Sequence, residues 1–274
     1  MKRWLIVTVF LLLLCSACIA SPDQDLIAQF NNISHPKLEK TRIIVGGDRD
    51  YPPYSYLDSD GQPQGVDVEI MNAIAVLLGL QIDYNLTSWD EALRNLLDGK
   101  VDVVVGMADI EELTRLYDLT ISTHSDSYAI LTRSGVSYSK LSDMKGMWIA
   151  VLAGDSAYFR FIQPLGLDAD SILMESFPDA FQSLEKGEVD FVLAPYTIGH
   201  DIIAHSNYQN IRTVGPAILP SQYCMSVQKG NSELLAALNS SIDTLKGNGT
   251  IDSILKKANI RLREEKPLWA IIKN

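Results

Sequence analysis

The 274-residue sequence predicts an open, mixed α/β fold built as two lobes. Three observations support this prediction. The chain is 47% hydrophobic, so its roughly 230 residues of folded chain can bury a large core. Segments with strand composition alternate with segments of helical spacing. A second series of such segments begins after residue 131 without an obvious sequence repeat, which favours two lobes over one.

The first strand, loop and helix, at residues 42–80, have the pattern of one rim of a ligand-binding cleft. A β-branched run at residues 43–45 ends at a Gly-Gly pair, as expected for a buried strand. A stiff loop follows, in which prolines fix φ and tyrosines offer apolar faces with polar tips. From Val66, apolar residues recur at helical spacing as far as Gly79, a helix-stop residue. We therefore expect three residues here to contact a small, partly polar ligand: Asp48, Tyr51 and Tyr54.

The rest of the chain continues to alternate between strand and helix patterns. Strands are predicted at residues 81–86, 101–105, 148–152 and 189–193. Helices are predicted at residues 89–97, 156–165, 178–186, 232–245 and 251–258.

Residues 1–17 have the pattern of an export signal, because Lys2 and Arg3 precede an apolar run too short for a stable membrane span. Cys18 follows small residues as in a bacterial lipobox, so we expect lipid attachment at Cys18 and a membrane anchor. The alternative is cleavage near residues 20–21, which would leave a soluble periplasmic protein. Residues 18–40 are polar and weakly patterned, and we expect them to serve as a tether.

The balance of charge is acidic. The formal net charge is −11, and loss of Lys2 and Arg3 with the signal would move it to −13. This charge argues against nucleic acid as a partner. Two of the three cysteines lie in the export region, so no intrachain disulfide is possible in the folded part. We expect Cys224 to be a small buried hydrophobic residue, with a redox or ligand role as the alternative.

Several segments together resemble the bacterial solute-binding proteins of family 3. They are the aspartate, tyrosines and prolines of the 48–54 loop, Gly65-Val66-Asp67, Ser88-Trp89-Asp90, Leu97-Asp98-Gly99-Lys100-Val101-Asp102 and Gly230-Asn231-Ser232-Glu233-Leu234. The resemblance covers residues 41–260, and the combination is more specific than any one segment. Detail at residues 116–124 and 219–224 is closer to the branch used as periplasmic sensor domains.

The resemblance implies a type II periplasmic-binding-protein-like fold. Each lobe would be a mixed β-sheet flanked by helices, and two hinge crossovers would join the lobes. The implied divisions are lobe 1 at residues 41–127 and 228–260, lobe 2 at 128–227 and a C-terminal extension at 261–274. The hinge strands would lie at residues 127–131 and 223–227, and the last two helices would return to lobe 1.

The resemblance also implies contacts to the ligand from lobe 1. Arg115 matches the arginine that holds the ligand's carboxylate through a two-pronged hydrogen bond. Gly106 and Met107 begin the approach to that arginine, which is longer here than in the family. The alternative is a surface arginine paired with Glu111, Glu112 or Asp118. Trp89 matches an aromatic residue that closes over the ligand, although a core anchor is the alternative interpretation.

Lobe 2 departs from the family pattern. Gly154-Asp155-Ser156 would begin a helix whose free N–H groups and dipole favour an anion. Ser156 is either a simple N-cap or an N-cap that also donates to the ligand. Where the amino-acid carriers place an acidic residue for an ammonium group, this chain has Ala194-Pro195-Tyr196, which leaves Pro195 facing the ligand. Either Asp48 takes over a cationic group, or the ligand carries no ammonium.

Catalytic signatures are missing from the sequence, which has no Gly-x-Ser-x-Gly, phosphate-binding glycine loop or His-Glu-x-x-His. His200 and His205 are spaced so that they do not share one helical face, which favours a solvated surface over a metal site. His124 lies near the first hinge, where a structural role and a ligand contact both remain open. We expect no cofactor and no metal.

These observations predict a periplasmic solute-binding protein that captures a small polar ligand between lobes closing by hinge motion. The ligand would be an amino acid or a related organic acid or amine, and the partner an ABC transporter permease. One alternative is a ligand-sensing subunit that presents its closed form to a membrane receptor or kinase. Another is an enzyme resembling cyclohexadienyl dehydratase, which would need a cleft acid such as Glu175.

Overall fold

The computed structural model describes residues 38–206 and 208–258, which belong to one compact unit, His35–Asn274. Three predicted segments lie outside the described residues: the export signal, most of the tether with Cys18, and the C-terminal extension. Within the described part of the chain, no helix is both long enough and apolar enough to cross a membrane.

Strands and helices alternate along the described chain. The strands are β1 Arg42–Asp48, β2 Asp50–Tyr51, β3 Ser55–Leu57, β4 Pro63–Gln64, β5 Gln81–Thr87, β6 Val103–Ala108, β7 Tyr117–Leu119, β8 His124–Arg133, β9 Ile149–Leu152, β10 Ser171–Met174, β11 Phe191–Pro195 and β12 Ile211–Gln228. The helices are α1 Val66–Leu78, α2 Trp89–Leu97, α3 Glu111–Thr114, α4 Gln163–Leu165, α5 Phe177–Lys186, α6 Tyr196–His205, α7 Ser232–Gly247 and α8 Thr250–Lys257. A π-helix, Tyr158–Ile162, runs into α4.

Two sets of parallel strands are joined by two long antiparallel strands. In lobe 1, β1 pairs in parallel with β5 and β6, and in lobe 2, β9 pairs in parallel with β10 and β11. Strands β8 and β12 pair with each other and connect both sets. Among the described residues this gives a nine-stranded sheet in the order β10-β9-β11-β8-β12-β6-β1-β5, with β7 added against β12. The predicted mixed α/β fold is confirmed.

The crossing between the lobes lies along β8 and β12. Strand β12 pairs with β8 from residue 211 to residue 223, with register shifts on both sides of residue 218, and at residues 223–228 it pairs with β6 and β7. Leu219, within the second of these register shifts, has a positive φ of 52°. The segments predicted as hinge strands, residues 127–131 and 223–227, lie within the longer strands β8 and β12.

In lobe 1, a hydrophobic core beneath α1 fixes the positions of the strand ends. Ile70, Met71 and Ile74 of α1 are fully buried, and α7 and α8 pack against the same helix. Gly79 ends α1 in the left-handed conformation, as predicted. Since parallel strands end at one edge of a sheet, this core holds the carboxyl ends of β1 and β6 next to each other.

Elements of lobe 2 differ from the sequence prediction, among them strand β10, which was not predicted. The predicted helix at residues 156–165 contains the π-helix in its middle. Helix α6 was not predicted, because Pro195 and Gly199 interrupt its apolar pattern. In this helix His200 is exposed and stacks on Tyr196, while the exposed His205 pairs with Asp201. The predicted surface position of both histidines is confirmed, as is the burial of Cys224.

Candidate ligand-binding site

A pocket lies between the two lobes where the carboxyl ends of β1, β6 and β9 meet. The space not filled by atoms in and around the pocket, including open solvent, is about 380 Å³. Lobe 1 contributes Asp48, Tyr51, Ser55, Trp89, Val105, Gly106, Ala108 and Leu113. Lobe 2 and the long strands contribute Tyr128, Leu152, Gly154, Asp155, Ser156 and Tyr223. Ligand sites of open α/β sheets form at such strand ends, so this pocket is the candidate binding site.

Asp48 is the acidic group of the lobe 1 wall. It is the last residue of β1 and is only 3% exposed. Its Oδ1 accepts a hydrogen bond of 2.8 Å from the backbone N–H of Asp50. Burial raises the pKa of Asp48 to about 7, since the charged carboxylate loses water without gaining a full counter-charge. The side chain therefore favours a cationic partner.

Asp155 is the acidic group of the lobe 2 wall. Its Oδ1 accepts hydrogen bonds from the Tyr128 hydroxyl at 2.6 Å and from the Ala157 backbone N–H at 2.7 Å. Burial raises the pKa of Asp155 to about 6. Asp155 thus caps the helix that begins at Ser156, and Ser156 instead lies 3.1 Å from the Tyr128 hydroxyl.

Trp89 connects the two lobes across the pocket. It begins α2 in lobe 1, and its indole N–H donates to the Gly154 carbonyl of lobe 2 at 3.3 Å. The side chain is 7% exposed and belongs to the hydrophobic core as well as to the pocket wall. The position of Trp89 is therefore compatible with both roles considered for it, closing over the ligand and anchoring the core.

His124 lies behind the pocket in an aromatic stack. The His124 ring contacts Tyr54 at 4.6 Å and Tyr223 at 5.1 Å, measured between ring centroids, and the two tyrosine rings are themselves 6.1 Å apart. Thr123 Oγ1 donates to the Tyr223 carbonyl, so it accepts from His124 Nδ1 at 3.0 Å, an assignment made from the hydrogen-bond network. Burial lowers the pKa of His124 to about 3, which keeps the ring neutral. His124 supports Tyr223, which lines the pocket.

Two buried carboxyls near this stack, those of Asp67 and Asp126, were not predicted as site residues from the sequence. Asp67 is 1% exposed, its Oδ1 lies 3.6 Å from His124 Nδ1, and burial raises its pKa to about 8. Asp126 Oδ2 accepts from the Tyr54 hydroxyl at 3.0 Å and from the Thr197 backbone N–H at 3.1 Å. The helical spacing of Asp67 with the buried Met71 and Ile74 could have revealed it.

Four residues that were expected to contact the ligand are not part of the pocket wall: Tyr54, Met107, Pro195 and Arg115. Tyr54 is fully buried behind Tyr51, at 5.8 Å between ring centroids. Gly106 lines the pocket, whereas Met107 is buried in the core and Pro195 ends the buried strand β11.

Arg115 lies outside the pocket: its side chain is 69% exposed and pairs with Glu111. Leu113, two residues earlier, is in the pocket wall.

Arg115→Ala is expected to change the free energy of unfolding by no more than about 0.5 kcal/mol, because an exposed i,i+4 ion pair contributes little. Urea denaturation of the variant beside the original protein measures this difference. A loss of several kcal/mol would contradict the surface position of the guanidinium.

The family model for bacterial extracellular solute-binding proteins, family 3, matches residues 43–259. The chain belongs to this family. Among curated relatives, the L-cystine-binding protein TcyJ of Escherichia coli strain K12 is 27% identical over 80% of this chain and 83% of that protein. The L-arginine-binding protein of Pseudomonas aeruginosa is 28% identical over 78% of this chain and 86% of that protein. These relatives are named as binding proteins.

Solved structures of related binding proteins are also similar to the chain. A histidine kinase sensor domain with similarity to periplasmic binding proteins is 30% identical, with a TM-score of 0.76, over 80% of this chain and 96% of that one. An ancestral arginine-binding protein bound to glutamine is 27% identical, with a TM-score of 0.76, over 82% of this chain and 100% of that one. The expected two-lobe periplasmic-binding-protein fold is therefore confirmed.

Proposed function

We propose that this family 3 protein captures a small solute with a cationic group and presents the closed form to an ABC transporter permease. The observation that carries the proposal is the pair of buried carboxyls, Asp48 in lobe 1 and Asp155 in lobe 2, which face one pocket. The arginine-binding and cystine-binding names of curated relatives support a nitrogen-bearing solute.

Closure of the lobes explains why a cation is needed between these groups. Two carboxylates that approach each other in a buried pocket repel, and each has lost hydration. A cation between them offsets both costs and stabilises the closed arrangement, in which the Trp89 indole already bonds the Gly154 carbonyl. The charge of the solute thus couples binding to closure.

A thermal-shift screen of amino acids, amines, polyamines and organic acids tests this proposal. A cationic solute at about a hundredfold excess over Kd is expected to stabilise the protein by about 2.7 kcal/mol. Asp60→Asn, which removes an equal charge from an exposed turn, is the matched control and should show the same shift. Stabilisation by organic acids alone would overturn the proposal.

Affinity for a cationic solute is expected to rise as pH rises from about 5 to about 8. Burial raises the pKa of Asp48 to about 7 and that of Asp155 to about 6, so both are largely protonated at the acidic end. A cation binds the ionised carboxylates, so binding releases protons and is favoured at higher pH. Isothermal titration across this range measures the slope, and tighter binding at the acidic end would contradict it.

The location proposed for the protein is the periplasm, with a lipid on Cys18 as the anchor. The support for the lipid is the sequence alone, where small residues precede Cys18 directly after an apolar run. Cys18→Ser is expected to move the protein from the membrane fraction to the soluble fraction of cells. If the unsubstituted protein is already in the soluble fraction and begins after residue 18, the protein has no lipid anchor on Cys18.

A sensing role is the second candidate, favoured by the similarity to a histidine kinase sensor domain. Co-purification from membranes separates the two, because a permease would bring its ATPase and a receptor would bring a kinase.

We also propose that the protein catalyses no reaction, since Glu175 is exposed and is not among the pocket residues. Turnover of prephenate or arogenate by the purified protein would contradict this.

A further inference from the structure

We infer that the solute is an organic amine without a carboxylate, rather than a free amino acid. This inference rests on the proposed function and narrows the chemical class of its ligand. It differs from what the names of the curated relatives would suggest, because those proteins are named for cystine, histidine and arginine. Three features of the pocket support it.

The first feature is the lack of a positive side chain in the pocket wall. Among the described residues that line the pocket, none is lysine, arginine or histidine. Arg115 is exposed and paired with Glu111, while the apolar side chain of Leu113 lies in the wall. Arg160 of lobe 2 is bound to the long strand, where it donates to Ser221 Oγ and to the Pro220 carbonyl. The charge of Arg160 also acts on Asp155, so a ligand carboxylate would find no uncommitted guanidinium or ammonium group among the described residues of the pocket wall.

The second feature is the state of the helix start in lobe 2. A free N–H group at such a position can bind an anion. Here the N–H of Ala157 is already taken by Asp155 Oδ1 at 2.7 Å. The protein's own carboxylate therefore takes one of the N–H groups that a ligand carboxylate could use, and its charge repels a second anion.

The third feature is the pairing of acidic and apolar groups around the same space. Asp48 and Asp155 supply negative charge from both lobes, and they are 3% and 6% exposed. The side chains of Tyr51, Trp89 and Leu152 supply apolar surface beside them. A carbon chain ending in ammonium or guanidinium groups matches both kinds of surface, whereas an added carboxylate would bring a third anion into the pocket.

Matched pairs of ligands test the inference, since each amine lacks only the carboxylate of its amino acid. The pairs are agmatine and arginine, cadaverine and lysine, and histamine and histidine. Isothermal titration of the whole mature protein at about pH 8, where both acids are ionised, is expected to give at least one amine that binds about tenfold tighter than its amino acid. Equal or tighter binding of the amino acid in every pair overturns the inference and leaves the proposed function intact. Binding of none of the six compounds overturns the inference, and a screen that yields organic acids alone overturns both.

Two variants connect the preference to the pocket. Asp155→Asn keeps an oxygen that can accept from Ala157 and Tyr128 but removes the charge, so the preference for the amine should fall by about tenfold. Leu113→Arg adds a guanidinium to the wall and should shift the preference towards the amino acid. The control Asp60→Asn should keep the original ratio. If Asp155→Asn keeps the same ratio of amine to amino-acid affinity, with the fold intact by circular dichroism, the inference that Asp155 sets the preference for the amine is overturned.

Discussion

Asp48→Asn is expected to weaken the binding of a cationic solute by about 2–5 kcal/mol, which is roughly thirtyfold to several thousandfold in Kd. The amide keeps the size of the side chain and can still accept from the Asp50 N–H. It removes the charge at a position that is only 3% exposed, where water screens the interaction poorly. The solute is then left in the closed cleft with Asp155 as its acidic partner.

Isothermal titration at about pH 8 measures this loss, using the amine that gives the largest thermal shift. Asp60→Asn serves again as the control for loss of one negative charge at an exposed site. If Asp48→Asn binds as tightly as the original protein while its unfolding is unchanged, Asp48 does not contact the solute. The pair of carboxyls would then fail as the basis of recognition.

Gly65→Ala is expected to destabilise the protein by about 3 kcal/mol or more. Gly65 precedes α1 with a φ of 112°, a conformation that residues with a Cβ rarely adopt. An added Cβ would overlap the Tyr54 carbonyl oxygen, which belongs to the backbone and cannot rotate away. The same loop is held by hydrogen bonds from the N–H groups of Val66 and Asp67 to the carbonyls of Pro53 and Tyr54.

Urea denaturation separates this clash from the cost of a positive φ alone. Gly61→Ala is the matched control, because Gly61 also has a positive φ of 73° but its added Cβ would meet no atom within 4 Å. That control should cost about 1–2 kcal/mol. Similar losses in the two variants would mean that the loop relaxes around the added methyl group and that the close approach has little effect.

Elements with strong local signals could be predicted from the sequence. The apolar spacing after Val66 and the glycine at position 79 mark α1, and the structure has that helix with a left-handed Gly79 after it. The β-branched run near residue 44 marks β1 in the same way. Signals of this kind depend on neighbours within a few residues, so they are present in the sequence before any long-range contact forms.

Arg115 shows where local reasoning is insufficient. Leu113 and Arg115 are two residues apart at the end of α3, which turns the side chain by about 200° around a helix axis. One of the two therefore faces the pocket and the other faces solvent. The family pattern does not determine which of the two side chains faces the pocket, because the segment leading to Arg115 differs in length from that of the family. The packing of α3 within lobe 1 determines it.

The sequence by itself determined the family, the alternation of strands and helices, and the placing of Asp48 and Asp155 near the carboxyl ends of strands, where parallel sheets bind ligands. Only the tertiary structure decided that these two aspartates face one pocket, that Asp155 occupies its own helix start, and that Asp67 and Asp126 are buried beside the Tyr54 and His124 stack. The physical reason is that burial and the resulting pKa shifts arise from atoms far apart in the chain. A carboxyl loses its water when segments from both lobes close over it, and local sequence carries no measure of that closure.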